Sequence, residues 1–82
     1  MTYSIKFSPQ AKKFIRKLDK QESLRILEKF EEIKKDPFRY LEHYEGKGYK
    51  IRIGDYRSLV DVDLKEEVLF IRIFDKRGRI YK

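Results

Sequence analysis

Apolar and polar positions alternate near the start of the chain and then adopt a helical period. In residues 2–7 apolar side chains alternate with polar ones, which predicts a short half-buried strand. Ser8-Pro9 is typical of a helix cap followed by proline at the first helical position, and Asp36-Pro37 ends the helical spacing. Residues 9–35 are therefore predicted to form a helical hairpin with one apolar face. In its second half that face comprises Leu24, Ile26, Leu27, Phe30 and Ile33.

The period returns to two in the second half of the chain. Residues 38–47 show no regular pattern and contain the single histidine, His43, which we expect to be a surface or packing residue. Three runs with strand character follow, at 49–53, 56–62 and 68–74. The order β-α-α-β-β-β predicts an α+β fold, with an antiparallel sheet of three to four strands packed on the helical hairpin. The length, 82 residues, is that of one domain, 1–82.

Gly54-Asp55 separates the first two of these runs and is predicted to form a two-residue hairpin turn. With that turn, Ile53 lies opposite Tyr56, and Arg52 lies opposite Arg57. Because side chains alternate between the two faces of a sheet, one face is predicted to be apolar and to contact the helices. That face would comprise Tyr49, Ile51, Ile53, Tyr56, Val60, Val62, Leu69, Ile71 and Ile73. The opposite face would present Lys50, Arg52 and Arg57, with Arg72 as a neighbour.

The predicted pairing of Arg52 with Arg57 is electrostatically unfavourable, because like charges directly across a hairpin repel each other. It therefore suggests that an anion normally binds between the two guanidinium groups. The alternative is that both side chains extend into solvent and cover the sheet with their aliphatic parts. A slip of one residue at the turn would move Arg57 to the other face.

The net charge and the residue types present limit the functions that are possible for this chain. The chain carries 21 Lys and Arg against 14 Asp and Glu, a net charge of +7, and its hydrophobic share of 40% is too high for a disordered basic tail. This charge indicates a polyanionic or acidic partner, the alternative being a surface adapted for solubility. No cysteine is present, and one histidine cannot form a histidine cluster, so the sequence offers no disulfide, cysteine nucleophile or zinc site.

The same composition bears on where the protein works. No apolar run has the length of a transmembrane helix or a signal peptide, so we expect a cytoplasmic protein without a membrane partner. Abundant Lys, Glu and Ile without Asn, Trp or Cys is a bias typical of proteins from hot environments.

Two further groups of candidate binding residues flank the predicted sheet. The polar face of the helical hairpin carries Lys12, Lys13, Arg16, Lys17 and Lys20. In the C-terminal segment Arg77 and Tyr81 are four residues apart. An arginine fork can bind a phosphate through two hydrogen bonds, and a tyrosine ring can stack on a base, so the pattern suggests a single-stranded nucleic-acid site. Alternatively, Tyr81 packs against the end of the sheet.

The segment from Gly48 to Val60, with its GDYR hairpin after a basic strand, resembles the central signature of the RelE/ParE toxin superfamily. The apolar strand that follows and the residues from Lys76 to Tyr81 resemble the C-terminal end of that family. The resemblance implies a RelE-like fold. It further implies a toxin that either cuts messenger RNA in the ribosomal A site, as in the RelE branch, or inhibits DNA gyrase, as in the ParE branch, which lacks the RNA-cleaving residues.

The resemblance also implies catalytic positions, and all five carry a suitable residue: Lys50, Arg52, Arg57, Arg77 and Tyr81. This favours the RelE branch, although Arg52 stands where RelE-like enzymes can have lysine, and Lys76 where many relatives have histidine. RNA supplies its own nucleophile, the 2′-hydroxyl. Lys50 is expected to assist proton abstraction, Arg52 and Arg57 to stabilise the transition state, Arg77 to support the leaving oxygen, and Tyr81 to stack on a base or orient the 2′-hydroxyl.

The resemblance thus implies a ribosome-dependent endoribonuclease, and we expect it to need no metal ion or cofactor. Expected contacts with RNA and the ribosome comprise Lys12, Lys13, Arg16, Lys17, Lys20, Arg72, Lys76 and Arg79. Expected partners are a RelB-like antitoxin with an apolar segment carrying acidic residues, messenger RNA in the ribosomal A site, and ribosomal RNA. The alternatives are a ParE-like gyrase inhibitor without nuclease activity and a non-catalytic RNA-binding module.

Overall fold

The computed structural model describes residues 2–44, 46 and 48–76 of the chain. Its elements, in chain order, are β1 (Ser4–Phe7), α1 (Pro9–Lys17), α2 (Lys20–Ile33), a short 3-10 helix (Pro37–Arg39), β2 (Glu42–His43), β3 (Tyr49–Ile53), β4 (Tyr56–Asp63) and β5 (Val68–Lys76). The predicted α+β architecture, a helical hairpin followed by a sheet, is confirmed.

The sheet has five strands in the order β1-β5-β4-β3-β2. Strand β1 pairs with β5 in parallel, whereas the other neighbours are antiparallel. The prediction of three to four antiparallel strands was therefore incomplete. It missed β2, since a strand of only two residues is too short to show an alternating pattern. It also missed the parallel pairing of β1 with β5, which the long connection between Phe7 and Val68 permits.

Side chains cap the starts of both helices, and at α1 they also fasten the helix to the sheet. The Ser8 hydroxyl accepts a hydrogen bond from the backbone N–H of Ala11 and donates one to the carbonyl oxygen of Arg72. Asp19 caps α2 by accepting from the N–H of Glu22. The Gln10 side-chain amide both donates to and accepts from the backbone of Phe74. The start of α1 is thus fixed to β5.

One face of the sheet packs on both helices to form the core. The helices contribute Ala11, Ile15, Ile26, Phe30 and Ile33, and the sheet contributes Ile51, Tyr56, Val60, Leu69, Ile71 and Phe74. Phe74 is at the centre, with its ring in edge contact with Phe14 and Phe30 and stacked on Tyr56. Among the described residues, no helix is long and apolar enough to span a membrane.

The predicted assignment of β5 side chains to the two faces of the sheet was wrong in the second half of the strand. Ile73 was expected in the core, but Phe74 is buried there, opposite Ser58, while Ile73 lies opposite Leu59 outside the core. The cause is a bulge: Leu59 pairs with Ile73 and Val60 with Ile71, so that Arg72 is an extra residue. Beyond the bulge every side chain of β5 points to the face opposite the one that simple alternation gives.

The predicted apolar face of α2 was only partly correct. Ile26, Phe30 and Ile33 are buried, but Leu24 is 51% exposed and Leu27 39% exposed. The buried positions follow the spacing i, i+4 and i+7, which defines a single stripe. Leu24 and Leu27 lie to one side of that stripe, facing solvent next to β1. With Ile5 and Phe7 they line an open groove.

Candidate nucleic-acid interface

The predicted register of the β3–β4 hairpin is confirmed, and with it the central part of the candidate site. Ile53 lies opposite Tyr56, and Arg52 lies opposite Arg57. Gly54, at the first position of the turn, has φ +56°, in the left-handed region that favours glycine. The turn thereby places two guanidinium groups side by side on the sheet face away from the helices. Lys50 is on the same face, two residues from Arg52.

Arg57 is the most enclosed of these cations, with only 5% of its surface exposed. It lies in the middle of the sheet, between Arg52 on β3 and Asp75 on β5. A guanidinium group that is held in place and shielded from water interacts more strongly with an anion than a solvated one does. Arg57 is therefore well placed to act on a phosphate at this face.

Two carboxylates accompany the cations, and neither was predicted from the sequence. The Glu42 carboxylate lies 4.0 Å from the Nζ of Lys50 and 3.8 Å from a guanidinium nitrogen of Arg52. Glu42 belongs to β2, in a segment that showed no regular pattern. Asp75 was missed because its face depends on the bulge at Arg72; simple alternation would have directed Asp75 toward the helices.

These carboxylates change the electrostatics of the predicted anion site. Three cations, Lys50, Arg52 and Arg57, share the face with Glu42 and Asp75, so the local sum is 3 − 2 = +1. The carboxylates offset the repulsion that made the arginine pairing unfavourable, without any external anion. A bound phosphate would compete with Glu42 for Lys50 and Arg52.

The same face continues past Lys50 into a pocket of about 350 Å³. Its lining comprises Tyr44, Gly48, Tyr49, Leu59, Val60, Asp61 and Arg72. The Nζ of Lys50 is 5.9 Å from the centre of the Tyr44 ring. Arg72, predicted as a neighbour of the cationic face, is located there, with its guanidinium 3.6 Å from the Asp61 carboxylate. We call this the Tyr44 pocket.

The cations of the helical hairpin form a separate surface. All five predicted contacts are exposed: Lys12, Lys13, Arg16, Lys17 and Lys20. They belong to the helical layer, whereas Lys50 and the arginines lie on the sheet face that the helices leave open. The structure therefore does not bring these two groups of cations together.

The remaining predicted residues are near the C-terminus. Lys76 ends β5 and is exposed, opposite Tyr56 in the sheet register. Arg77, Arg79 and Tyr81 lie outside the described residues. His43 is exposed in β2, with its ring in edge contact with Tyr49. Within the described part of the chain, no three carboxylate or histidine side chains are grouped as metal ligands would be.

Within the described residues, the pKa of one side chain, Tyr56, departs from its ordinary value. Burial raises the pKa of the phenol above 10.0, and Glu22 raises it further by its charge and by accepting a hydrogen bond of 3.3 Å from the phenol. The Tyr56 side chain is on the core face, remote from the cationic face. Its protonation therefore does not contribute to anion binding there.

Comparison with known proteins relates this geometry to a family. Residues 5–80 match the family model described as the ParE toxin of the type II toxin–antitoxin system parDE. The chain is similar to a structure of the archaeal RelE–RelB complex from Pyrococcus horikoshii, with 30% identity, a TM-score of 0.76, and coverage of 96% of this chain and 99% of that one. No curated protein sequence matches the chain.

Two bacterial structures also resemble it. The RelBE2 toxin–antitoxin complex from Mycobacterium tuberculosis gives a TM-score of 0.81 with 23% identity, covering 94% of this chain and all (100%) of that one. The isolated RelE toxin of E. coli gives a TM-score of 0.72 with 25% identity, covering 96% of this chain and 90% of that one. The fold of the described chain is thus that of RelE toxins.

Proposed function

We propose that this chain, which belongs to the ParE toxin family of type II toxin–antitoxin systems, is an endoribonuclease. Its activity would be ribosome-dependent, as in the RelE branch. The observation that carries the proposal is the cross-strand pair of Arg52 and Arg57, with Lys50 on the same open sheet face. With Glu42 and Asp75 the group keeps a net charge of +1, and its arginine forks can bind an RNA phosphate. The similarity to RelE structures supports the same branch.

The proposed reaction is a transesterification within the RNA strand. The 2′-oxygen of one nucleotide attacks the adjacent phosphorus, and the bond from phosphorus to the 5′-oxygen of the next nucleotide breaks. The 2′-hydroxyl loses its proton and the leaving 5′-oxygen gains one. The products are a 2′,3′-cyclic phosphate and a 5′-hydroxyl. Extra negative charge develops on the phosphorane, and arginine side chains can stabilise it.

Five side chains have assigned roles in this reaction. Arg57 and Arg52 bind the reacting phosphate and stabilise its charge, and Lys50 assists removal of the 2′-hydroxyl proton. We assign Arg77 to the leaving oxygen and Tyr81 to stacking on a base or orienting the 2′-hydroxyl, on the resemblance of the sequence. The mechanism uses no metal ion or cofactor, since the arginines and the lysine supply the positive charge.

A second surface would hold the protein on the ribosome. The hairpin cations Lys12, Lys13, Arg16, Lys17 and Lys20 are exposed on the helical layer, and contacts of this type with RNA phosphates are independent of sequence. Arg72 and Lys76 would add to the attraction from the sheet side, and we assign Arg79 the same role on its position in the sequence alone. The proposed RNA substrate is messenger RNA in the ribosomal A site, which places the protein in the cytoplasm.

We also propose a RelB-like antitoxin as the partner that neutralises this toxin. Leu24 and Leu27 are exposed beside the edge strand β1, and with Ile5 and Phe7 they line a groove of about 340 Å³. An apolar segment of the antitoxin could pack there, and acidic residues flanking it would meet the basic surface. The Pyrococcus horikoshii relative is itself a complex of RelE with RelB.

The second candidate function is inhibition of DNA gyrase, favoured by the ParE description of the matching family. A third is binding of RNA without cleavage. Mapping of RNA ends after induction of the toxin separates the three. The nuclease predicts breaks within translated codons, the gyrase inhibitor predicts intact messages with a block in DNA metabolism, and the binding module predicts salt-sensitive RNA binding without new ends.

A further inference from the structure

The Tyr44 pocket adjoins the cationic face, and of its lining residues only Arg72 has a role in the proposed function. Tyr44 continues the antiparallel pairing of β2 with β3, because its N–H donates to the carbonyl oxygen of Gly48 over 2.9 Å. By alternation from His43, Tyr44 is on the same face as Glu42 and Lys50. The Tyr44 ring and the Lys50 ammonium are therefore neighbours, 5.9 Å apart from ring centre to nitrogen.

The polar end of the pocket offers an acceptor and a donor side by side. Asp61 supplies a carboxylate, and Arg72, the extra residue of the β5 bulge, supplies a guanidinium 3.6 Å away. That separation exceeds hydrogen-bond length, so these two atoms do not satisfy each other's hydrogen-bonding capacity. The Watson–Crick edge of a nucleobase likewise presents donors next to acceptors. The apolar part of the lining, Leu59 and Val60, adjoins this end.

We propose that the Tyr44 pocket binds one nucleobase of the single-stranded RNA, with the ring of the base against Tyr44 and its polar edge on Asp61 and Arg72. The proposal rests on the proposed function, since the RNA phosphate bound by Arg52 and Arg57, next to Lys50, brings an attached nucleoside to the pocket. The pocket has room for one base. An antitoxin segment rich in acidic residues fits less well, because Asp61 would repel it.

The test needs a fixed RNA register, which a ribosome with a programmed A-site codon supplies. The codon carries 2′-O-methyl groups, so that no nucleophile is present and binding alone is measured. A series of messages removes the base from each of the three codon positions in turn. Affinities are compared for the wild type, Tyr44→Ala, Tyr44→Phe and a control, Phe70→Ala. Phe70 is a partly exposed aromatic residue of β5 that does not line the pocket.

The wild type is expected to lose affinity on the order of tenfold when one particular base is absent, the effect of one lost base–aromatic stack. Tyr44→Ala should bind the intact codon on the order of tenfold more weakly and show no further loss when that base is removed. Tyr44→Phe and Phe70→Ala should behave as the wild type. An equal effect of base removal in the wild type and Tyr44→Ala would overturn the proposal, as would a Tyr44→Ala defect confined to antitoxin binding.

The same measurements, together with cutting of an unmodified message, distinguish failure of the proposed function from failure of the base pocket. If the proposed function is wrong, the wild type does not cut an unmodified message on the programmed ribosome, whether or not it binds there. If only the base pocket is wrong, the wild type still binds and cuts, while the loss from base removal is the same with and without the Tyr44 ring.

Discussion

Asp75 lies directly opposite Arg57 in the register of β5 and β4, while Arg52 lies opposite Arg57 on the other side. The buried guanidinium of Arg57 is thus flanked by one like charge and one opposite charge. A cation in this position is held on the open sheet face by the strands themselves. In the proposed reaction, the Arg57 guanidinium is therefore in position to bind a phosphate before any RNA arrives.

Removal of the Glu42 carboxylate should strengthen binding of RNA. In Glu42→Gln the phosphate no longer competes with a carboxylate for Lys50 and Arg52, so we expect affinity for single-stranded RNA to rise about two- to fivefold. The matched control is Glu31→Gln, which removes the same charge from an ion pair with Lys34 on α2. Fluorescence anisotropy at two salt concentrations measures both. Equal increases in the two variants would mean that only net charge matters.

The hairpin turn should be sensitive to a side chain at Gly54. No atom outside the neighbouring residues lies within 4 Å of an added Cβ, but φ is +56°, so Gly54→Ala is strained without a clash. We expect a loss of about 1 kcal/mol, which lowers the melting temperature by about 4–8 °C in a domain of this size. The matched variant Asp55→Ala should lose less, because φ at Asp55, the second turn residue, is not positive. Thermal unfolding followed by circular dichroism measures the loss of stability in each variant. Equal losses for the two variants would contradict the assigned turn conformation.

Two neighbouring positions of α2 should respond very differently to truncation. Ile26 is 2% exposed and Leu24 is 51% exposed. Ile26→Ala should lower the free energy of unfolding by about 2–5 kcal/mol, and Leu24→Ala by no more than about 0.5 kcal/mol. Denaturant titration measures both. A large loss in Leu24→Ala would show that the leucine belongs to the core after all, as the sequence pattern predicted.

The raised pKa of Tyr56 makes a prediction about alkaline pH. The folded protein retains the phenol proton at a pH where the unfolded chain has begun to lose it, so the stabilisation is fully present below pH 10.0 and is lost as pH rises through the folded pKa. The difference in unfolding free energy between the wild type and Tyr56→Phe should therefore be constant up to about pH 9 and shift against the wild type above pH 10.0. A difference that changes between pH 5 and 8 would contradict this account.

Local patterns in the sequence predicted the elements that rest on local interactions. Ser8-Pro9 and the spacing around Gly54-Asp55 determine a helix start and a hairpin register, because caps and two-residue turns restrict the backbone within a few residues. From the hairpin alone the pairing of Arg52 with Arg57 could be derived. The cationic face was predictable for this reason.

The carboxylates of the site depend on non-local pairing and could not be predicted in the same way. Glu42 acquires its position only when a two-residue strand adds to the sheet edge, and Asp75 only through the bulge at Arg72. A bulge leaves no mark in the alternation of Val68–Lys76, since either face assignment of Ile73 and Phe74 buries an apolar side chain. The exposure of Leu24 and Leu27 likewise depends on where the sheet ends.

The measurement that tests the central claim most directly is the mapping of 5′ ends on messages after brief induction of the wild type, Arg57→Ala and Arg57→Lys. The wild type should produce breaks within translated codons. Arg57→Ala should reduce them about 10²- to 10³-fold, the usual effect of losing one transition-state donor, while the folded state is confirmed by its unfolding transition. Arg57→Lys keeps the charge but loses the fork, and should retain partial activity. Undiminished breaks in folded Arg57→Ala, or intact messages in cells arrested by the wild type, would contradict the account.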